Sequence, residues 1–338
     1  MQAMACTGSI EVKRAEDQGG CPTFGFRSDE IEFGAPLRPR GTRSGVLVHS
    51  LALQILPKVR RKTIEHEKGF LMTEFWRAVL LGAVQGVTEF IPISSSGHLM
   101  LIHKGLGWSE FGLAYDVVLH LASLLAVTIY FRSDISRMAI ALVSKNPDLD
   151  AERRLGWLVM AATAVTAVMA LAFSDLIERA FSNIAWIGGF FLLTAAALVS
   201  SELLGGKRLH EISGLPLGKA LLVGLAQAVA LFPGVSRAGA TMAAGMAVGL
   251  DREQSARFSF LMSVPIILLA GVKTGLDAVA DPQPFIGLWA AFAGGVVAFV
   301  AAYASIGVLL AFLKRHSLYL FAGYTALLGA GTLIWQLS

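Results

Sequence analysis

A cluster of polar side chains at residues 85–98 stands between two strongly apolar stretches of the sequence. It contains Gln85 and Glu89, and then three consecutive serines, a glycine and a histidine. A polar group in apolar surroundings is costly unless it has a partner or a function. The cluster is therefore the first candidate for chemistry. Because Gln85 and Glu89 are four residues apart, they share one helix face, where they could bind a divalent cation, or Glu89 could act as a base.

The serines and the histidine of the cluster complete a set of groups suited to phosphate chemistry. The hydroxyls of Ser94, Ser95 and Ser96 could supply a nucleophile or donors to phosphate. They precede a predicted half-helix whose free N–H groups and positive dipole end favour anions. His98 could protonate a leaving oxygen or orient a serine.

A second polar element, at 232–241, lies in another apolar stretch. Its Arg237 has no acid close by in sequence, and the planar guanidinium suits phosphate. Gly234 and Ser236 precede the arginine, and we expect them to bind the same substrate group. Thr241 lies one helical turn further on, as a second phosphate donor or, equally, as a packing residue.

Each of these residues also has a plainer interpretation. Ser94 and Ser96 could simply bond to backbone carbonyls. Glu89 and Arg237 could form a structural ion pair between the two elements. Nothing catalytic surrounds two further histidines in the sequence, which we interpret as structural: His103 and His120.

The composition indicates an all-α polytopic membrane protein. Of the 338 residues 55% are hydrophobic and 15% charged, and the apolar residues form long runs. The net charge of +4 comes from basic residues in short loops, which indicates orientation in a membrane and no binding of nucleic acid. The two cysteines, Cys6 and Cys21, provide neither a disulfide framework nor a cysteine metal site.

The chain divides into a polar part and a membrane part. Residues 1–71 are expected to be a disordered or non-native extension, with Met72 as a natural start and a regulatory tail as the alternative. Residues 72–338 form the integral membrane domain. Its apolar pattern predicts six spanning helices, at 113–131, 155–176, 184–202, 256–273, 285–312 and 318–337.

The membrane domain also contains an internal repeat, about 73–202 and about 217–337. A shift of 142 residues aligns residues in and just before the two polar elements, among them Gly82 with Gly224, Gln85 with Gln227, Ser94 with Ser236, and Gly97 with Gly239. Each repeat has one interrupted apolar stretch followed by three spans. An odd number of spans places the second repeat in the opposite orientation, so the repeat is predicted to be inverted.

The interrupted stretches carry prolines, Pro92 and Pro233, which break helices. Polar backbone within a membrane must be enclosed by protein, so we predict two re-entrant helix–loop–helix hairpins that meet near the midplane. Two kinked spanning helices are the alternative. The basic loops gather on one side of the six-span arrangement, predicted to be cytoplasmic. The first hairpin, and with it the active site, then opens to the outer side.

The two polar elements resemble the signatures of a known family. Residues 89–98, Glu-Phe-Ile-Pro-Ile-Ser-Ser-Ser-Gly-His, are similar to its Glu-(aromatic)-x-Pro-x-Ser-Ser-(Thr/Ser)-Gly-His motif, and 232–237 are similar to its Pro-Gly-x-Ser-Arg motif. Over 72–338 the chain is identified as a member of the undecaprenyl-diphosphate phosphatase family, also called the bacitracin-resistance proteins.

The resemblance implies hydrolysis of undecaprenyl diphosphate to undecaprenyl phosphate and inorganic phosphate at the bacterial cytoplasmic membrane. This reaction recycles the lipid carrier for cell-wall synthesis and confers bacitracin resistance. The resemblance gives a divalent cation, Mg²⁺ or Ca²⁺, to Gln85 and Glu89, and the role of nucleophile or key hydroxyl to Ser95. It gives a catalytic role to His98 and the phosphate clamp to Ser236 and Arg237.

The sequence departs from the family pattern at a few positions. Gln85 stands where many relatives have glutamate, which removes one charge from the cation site, and Ala238 and Ala240 stand where relatives often have serine.

Broken segments in an inverted repeat are also typical of transporters, so a lipid-phosphate transporter that uses the same site is the alternative function. Membrane lipids and a second copy of the chain, as a homodimer, are the other partners considered.

Overall fold

The computed structural model describes residues 72–108, 112–182, 184–204, 211–280 and 287–337. The predicted disordered or non-native extension at 1–71 lies outside these residues. The described residues are helical and contain no β-strand. Their helices are α1 (72–90), α2 (Ser95–Leu106), α3 (Gly112–Tyr130), α4 (Arg132–Val143), α5 (Asp150–Ala172), α6 (Ser174–Ser182), α7 (Ile184–Leu203), α8 (Leu217–Val229), α9 (Arg237–Ala247), α10 (Arg252–Ala280), α11 (Leu288–Leu313) and α12 (Tyr319–Leu337).

The six predicted spans match six of these helices. Five helices, α5, α7, α10, α11 and α12, are each long and apolar enough to cross a membrane. The sixth, α3, is a candidate span as one of a pair with α4, from which it is bent by 79°. Helix α4 was not predicted because charged residues in its first turns interrupt the apolar pattern. Met138 and Ala141 on its apolar face are buried. The short α6 was not predicted either.

Both interrupted stretches contain a helix, a break and a second helix, as the prolines predict. Helix α1 ends at Phe90 and α2 begins at Ser95, whereas α8 and α9 are separated by residues 230–236. The two breaks meet, because a Cβ placed on Gly97 would lie 3.1 Å from the Cα of Gly234. That the segments enter the membrane from opposite faces stays a prediction.

Aligned residues of the two repeats have the same local role at these breaks. Ser94 is the N-cap of α2, and its side chain accepts a hydrogen bond from the N–H of Gly97 at 3.4 Å. Ser236 is the N-cap of α9 and accepts from the N–H of Gly239 at 3.0 Å. An N-cap oxygen satisfies one of the four free N–H groups at a helix start, which explains why both second helices begin where they do.

Aligned glycines also pack the two repeats against each other. A Cβ on Gly82 of α1 would lie 2.2 Å from the carbonyl oxygen of Gly294 on α11. A Cβ on Gly224 of α8 would lie 2.4 Å from the carbonyl oxygen of Ala162 on α5. Helices in a membrane approach closely where residues are small, so these glycines hold each first half-helix against a span of the other repeat.

Candidate active site

Glu89, in the last turn of α1, is the centre of a buried polar cluster. Its Oε2 accepts hydrogen bonds from Nε2 of Gln85 at 2.9 Å and from the hydroxyl of Ser95 at 2.6 Å. Gln85 is fully buried, and Glu89 is 7% exposed. The predicted helix-face pair is therefore confirmed, and the break between α1 and α2 brings a serine onto the same carboxylate oxygen.

Arg237, in the first turn of α9, joins this cluster from the second repeat. Its Nη2 donates to Oε1 of Glu89 at 2.9 Å and to the carbonyl oxygen of Glu89 at 3.2 Å. The guanidinium carbon lies 5.7 Å from the centre of the Phe90 ring. The ion pair considered as an alternative interpretation is thus present. The buried Nη1 has no hydrogen-bond partner among the described residues, so it could donate to an anion as well.

The loop before Arg237 is fixed by α7. The hydroxyl of Thr194 accepts from the N–H of Ser236 at 3.0 Å and lies 3.4 Å from the carbonyl oxygen of Gly234. Gly234 has φ 98°, and a Cβ there would lie 2.6 Å from the carbonyl oxygen of Ile187. Glycine is therefore required at this position. Nothing in the sequence of the span marked Thr194 as part of the site.

The three consecutive serines have different surroundings. Ser95 donates to Glu89, which is the arrangement of a nucleophile and its base. Ser94 caps α2 and, with φ 71°, is the one described non-glycine residue of positive φ. The hydroxyl of Ser96 lies 3.5 Å from that of Ser94. Only Ser94 precedes the half-helix, whereas all three serines were predicted to precede it.

His98 lies beside this cluster, and its ring nitrogens bond elsewhere. Nδ1 is 2.7 Å from the carbonyl oxygen of Ser94, and Nε2 is 2.7 Å from the hydroxyl of Tyr324 on α12. The ring meets Phe191 of α7 edge to face, with the ring centres 5.6 Å apart. The structure therefore brings Ser95 and Arg237 into direct contact with Glu89, and it holds His98 through a different set of partners.

His120 of α3 is a residue that the sequence analysis missed. Its Nε2 lies 3.8 Å from Oε2 of Glu89, and its Nδ1 is 2.7 Å from the carbonyl oxygen of Asp116. The interpretation that nothing catalytic surrounds this histidine was wrong, because helix packing brings α3 to the end of α1. For His103 the structural interpretation fits, since its ring contacts the carbonyl oxygen of Trp108 and the side chain of Asp116.

Thr241 makes the contacts of a packing residue. Its hydroxyl is 2.7 Å from the carbonyl oxygen of Arg237 and 2.6 Å from the hydroxyl of Ser259 on α10. The side chain is fully buried between α9 and α10. Of the two roles considered for Thr241, its observed contacts are those of packing.

The oxygen atoms of Glu89 and Gln85 could supply one or two ligands to a cation that takes its other ligands from substrate and water. Oε1 of Gln85 is buried and has no hydrogen-bond partner in the described part of the chain, and it lies on the side chain that already contacts Glu89. The described residues contain no group of three or more acidic, histidine or cysteine side chains that could hold a metal. Mg²⁺ often takes one or two protein oxygens and completes its shell with phosphate and water, which these residues allow.

Comparison with known proteins agrees with the geometry. The sequence profile described as Bacitracin resistance protein BacA matches residues 78–331. A protein of Rubrobacter xylanophilus named Undecaprenyl-diphosphatase is 41% identical over 272 residues, which cover 77% of this chain and 97% of that protein. A protein of the same name from Alteromonas mediterranea is 40% identical over 259 residues, which cover 76% of this chain and 96% of that protein. The match spans both repeats and both polar elements, and the chain belongs to the bacitracin resistance protein BacA family.

Proposed function

We propose that this protein hydrolyses undecaprenyl diphosphate to undecaprenyl phosphate and inorganic phosphate. The observation that carries the proposal is that one buried carboxylate, Glu89, contacts both the hydroxyl of Ser95 and the guanidinium of Arg237. Transfer of a phosphoryl group requires a nucleophile next to a base, here Ser95 next to Glu89. It also requires a positive group that can donate hydrogen bonds to the phosphate, here the guanidinium of Arg237. Relatives named Undecaprenyl-diphosphatase supply the identity of the substrate.

The surroundings of the cluster are suited to the charge of a diphosphate. Nη1 of Arg237 is buried with no partner among the described residues, and a phosphate oxygen would satisfy it. Helices α2 and α9 both begin at the breaks, next to Ser95 and Arg237, and helix N-termini favour anions. Because the site is enclosed by apolar helices, these interactions are stronger than they would be in water.

The reaction follows from these positions. The hydroxyl of Ser95, or a water in its place, attacks the terminal phosphorus, and Glu89 accepts the proton of the attacking group. The anhydride bond to the inner phosphate breaks, and its oxygen leaves with the polyprenyl phosphate. If Ser95 attacks, water then hydrolyses the phosphoserine and releases phosphate. Arg237 neutralises the charge that develops on the phosphoryl oxygens, and His98 is the proposed second proton carrier.

A divalent cation, Mg²⁺ or Ca²⁺, is part of the proposal. Oε1 of Gln85 and the carboxylate of Glu89 would hold it, and the substrate would supply further oxygens. When bound, the cation would neutralise phosphate charge. Because Arg237 already balances the charge of Glu89, we expect little affinity for the cation without substrate, and chelation should abolish turnover without changing the melting temperature.

We propose that the site opens to the outer side of the cytoplasmic membrane. Four of the five exposed tryptophans in the described residues lie near helix ends that the alternation of the spans would place on the same side as the start of α1, where one membrane–water interface is expected: Trp76, Trp186, Trp289 and Trp335. The opposite ends carry most of the basic residues, including Arg153, Arg257 and Lys314. The positive-inside rule makes those ends cytoplasmic.

Phosphate release from undecaprenyl diphosphate by the purified chain in detergent tests the function. A micelle has no second compartment, so a lipid-phosphate transporter would release none, and the names of the relatives do not favour that alternative. Glu89→Gln should lower turnover at least about a hundredfold, because the variant loses both the base and the charged partner of Arg237. The matched control is Glu178→Gln, an exposed carboxylate of α6, which should turn over as the wild type does.

A further inference from the structure

We propose that Tyr324 of α12 is a positioning residue for His98, an inference that rests on the proposed function. The tyrosine hydroxyl lies 2.7 Å from Nε2 of His98, and the two rings lie within 3° of parallel. Tyr324 is far from both polar elements in sequence and belongs to neither motif.

The hydrogen bonds define the tautomer of His98. Nδ1 lies 2.7 Å from the carbonyl oxygen of Ser94, which can only accept, so Nδ1 carries a hydrogen. The neutral ring then has its lone pair on Nε2, and the hydroxyl of Tyr324 donates to it. Which nitrogen of a histidine is protonated is set by the bond that the other nitrogen makes, so Tyr324 and Ser94 together fix this state.

The backbone around His98 is built to hold this arrangement. Ser94, whose carbonyl oxygen faces Nδ1, has the strained φ of 71°. Strained backbone persists where the surrounding contacts enforce it, and it occurs often at functional sites. On the other side, Phe191 of α7 contacts the imidazole edge to face. The ring of His98 is therefore held by the loop, by α7 and by α12.

Tight packing of α7 against α12 places the tyrosine. A Cβ on Gly329 of α12 would lie 2.8 Å from the carbonyl oxygen of Gly188 on α7 and 3.0 Å from the Cβ of Phe191. This close approach of the two helices places Tyr324 beside His98. The hydroxyl occupies the nitrogen with which His98 would accept a proton, so the reacting group must displace the hydroxyl or pass its proton to His98 through it. In both cases Tyr324 sets the orientation from which His98 acts.

A double-mutant cycle in the purified full chain tests the proposal, with phosphate release from undecaprenyl diphosphate as the readout. Tyr324→Phe keeps the ring and removes the hydroxyl, so kcat should fall about tenfold, the effect of one net hydrogen bond, with KM within about twofold. His98→Gln should lose about a hundredfold. The double variant should be no slower than His98→Gln alone, because Tyr324 acts only through His98.

The control is Tyr303→Phe, which removes a hydroxyl from a tyrosine of α11 whose ring packs on Tyr130 and Phe299. It should keep wild-type kcat. Multiplicative losses in the double variant, or a Tyr324→Phe protein of wild-type kcat, would overturn the proposal. A Tyr324→Phe protein of lowered melting temperature that also loses activity in the His98→Gln background would show a packing role and overturn it too. Absence of phosphate release by the wild type would instead count against the proposed function.

Discussion

Arg237 donates to Glu89 across 148 residues of sequence, with Nη2 2.9 Å from Oε1, and this ion pair connects the two broken segments. The shift of 142 that aligns the repeats places Leu231 at the position of Glu89 and Gln227 at that of Gln85. The second segment thus lacks the carboxylate and supplies the cation. A site assembled in this way is complete only when both segments are in place.

The pair predicts different results for two substitutions of the arginine. Arg237→Lys keeps the charge and loses the planar fork, so it should retain a few per cent of kcat, whereas Arg237→Ala should lose at least about a hundredfold. Arg237→Ala also leaves the buried charge of Glu89 unpaired, which costs about 3–5 kcal/mol of stability. Phosphate release and thermal unfolding in detergent measure the two effects. The double variant Glu89→Gln/Arg237→Gln should regain stability and stay inactive; continued instability would contradict the ion-pair account.

Ser95 is predicted to form the bond to phosphorus or to orient the water that does. Ser95→Ala should lose at least about a hundredfold in kcat, because Glu89 loses the hydroxyl at 2.6 Å. Brief incubation with substrate labelled in its terminal phosphate, followed by acid quench, decides between the two routes. Label on the wild-type chain that is absent from Ser95→Ala indicates a phosphoserine. The control is Ser96→Ala, whose hydroxyl lies 3.5 Å from that of Ser94 and which should keep most of its activity.

Much of the fold could be predicted because hydropathy and proline positions act locally along the chain. The breaks after Phe90 and before Arg237 follow from Pro92 and Pro233, and the spans follow from their apolar length. The 79° bend between α3 and α4 could not be predicted in this way. There the apolar pattern of the span changes to an amphipathic one, and the direction of the second helix depends on its packing against α5.

The motif residues of the site could be predicted from the sequence, whereas the residues that contact them and hold them in place could not. Glu89, Ser95 and Arg237 stand out as polar residues in apolar sequence, and the structure brings them together. His120 contacts Glu89 because α3 packs on α1, where the hydroxyl of Tyr115 donates to the carbonyl oxygen of Ala78 at 2.7 Å, and because both helices pack on α11. Thr194 and its loop contacts depend likewise on tertiary packing, for which one sequence provides no signal.

His120 is predicted to assist Glu89 in turnover. Its Nε2 lies 3.8 Å from Oε2 of Glu89, and it is more exposed than the carboxylate, so it can pass a proton between Glu89 and water. His120→Gln should lower kcat about tenfold and leave KM unchanged. The matched control on α2 is His103→Gln, since His103 contacts Trp108 and Asp116 and should keep wild-type kcat. Equal losses in both variants would indicate that the His120 effect is one of packing.

Gly234 is predicted to be essential for placing the phosphate clamp. Its φ of 98° disfavours any side chain, and a Cβ would lie 2.6 Å from the carbonyl oxygen of Ile187. Gly234→Ala must therefore move the loop away from α7, at a cost of about 1–3 kcal/mol, and shift Arg237 relative to Glu89. We expect a lower melting temperature and a loss of kcat greater than tenfold, since small displacements of a clamp are costly. Gly331→Ala on α12, where a Cβ meets nothing within 4 Å, should change neither; wild-type kcat in Gly234→Ala would show that the loop tolerates the shift.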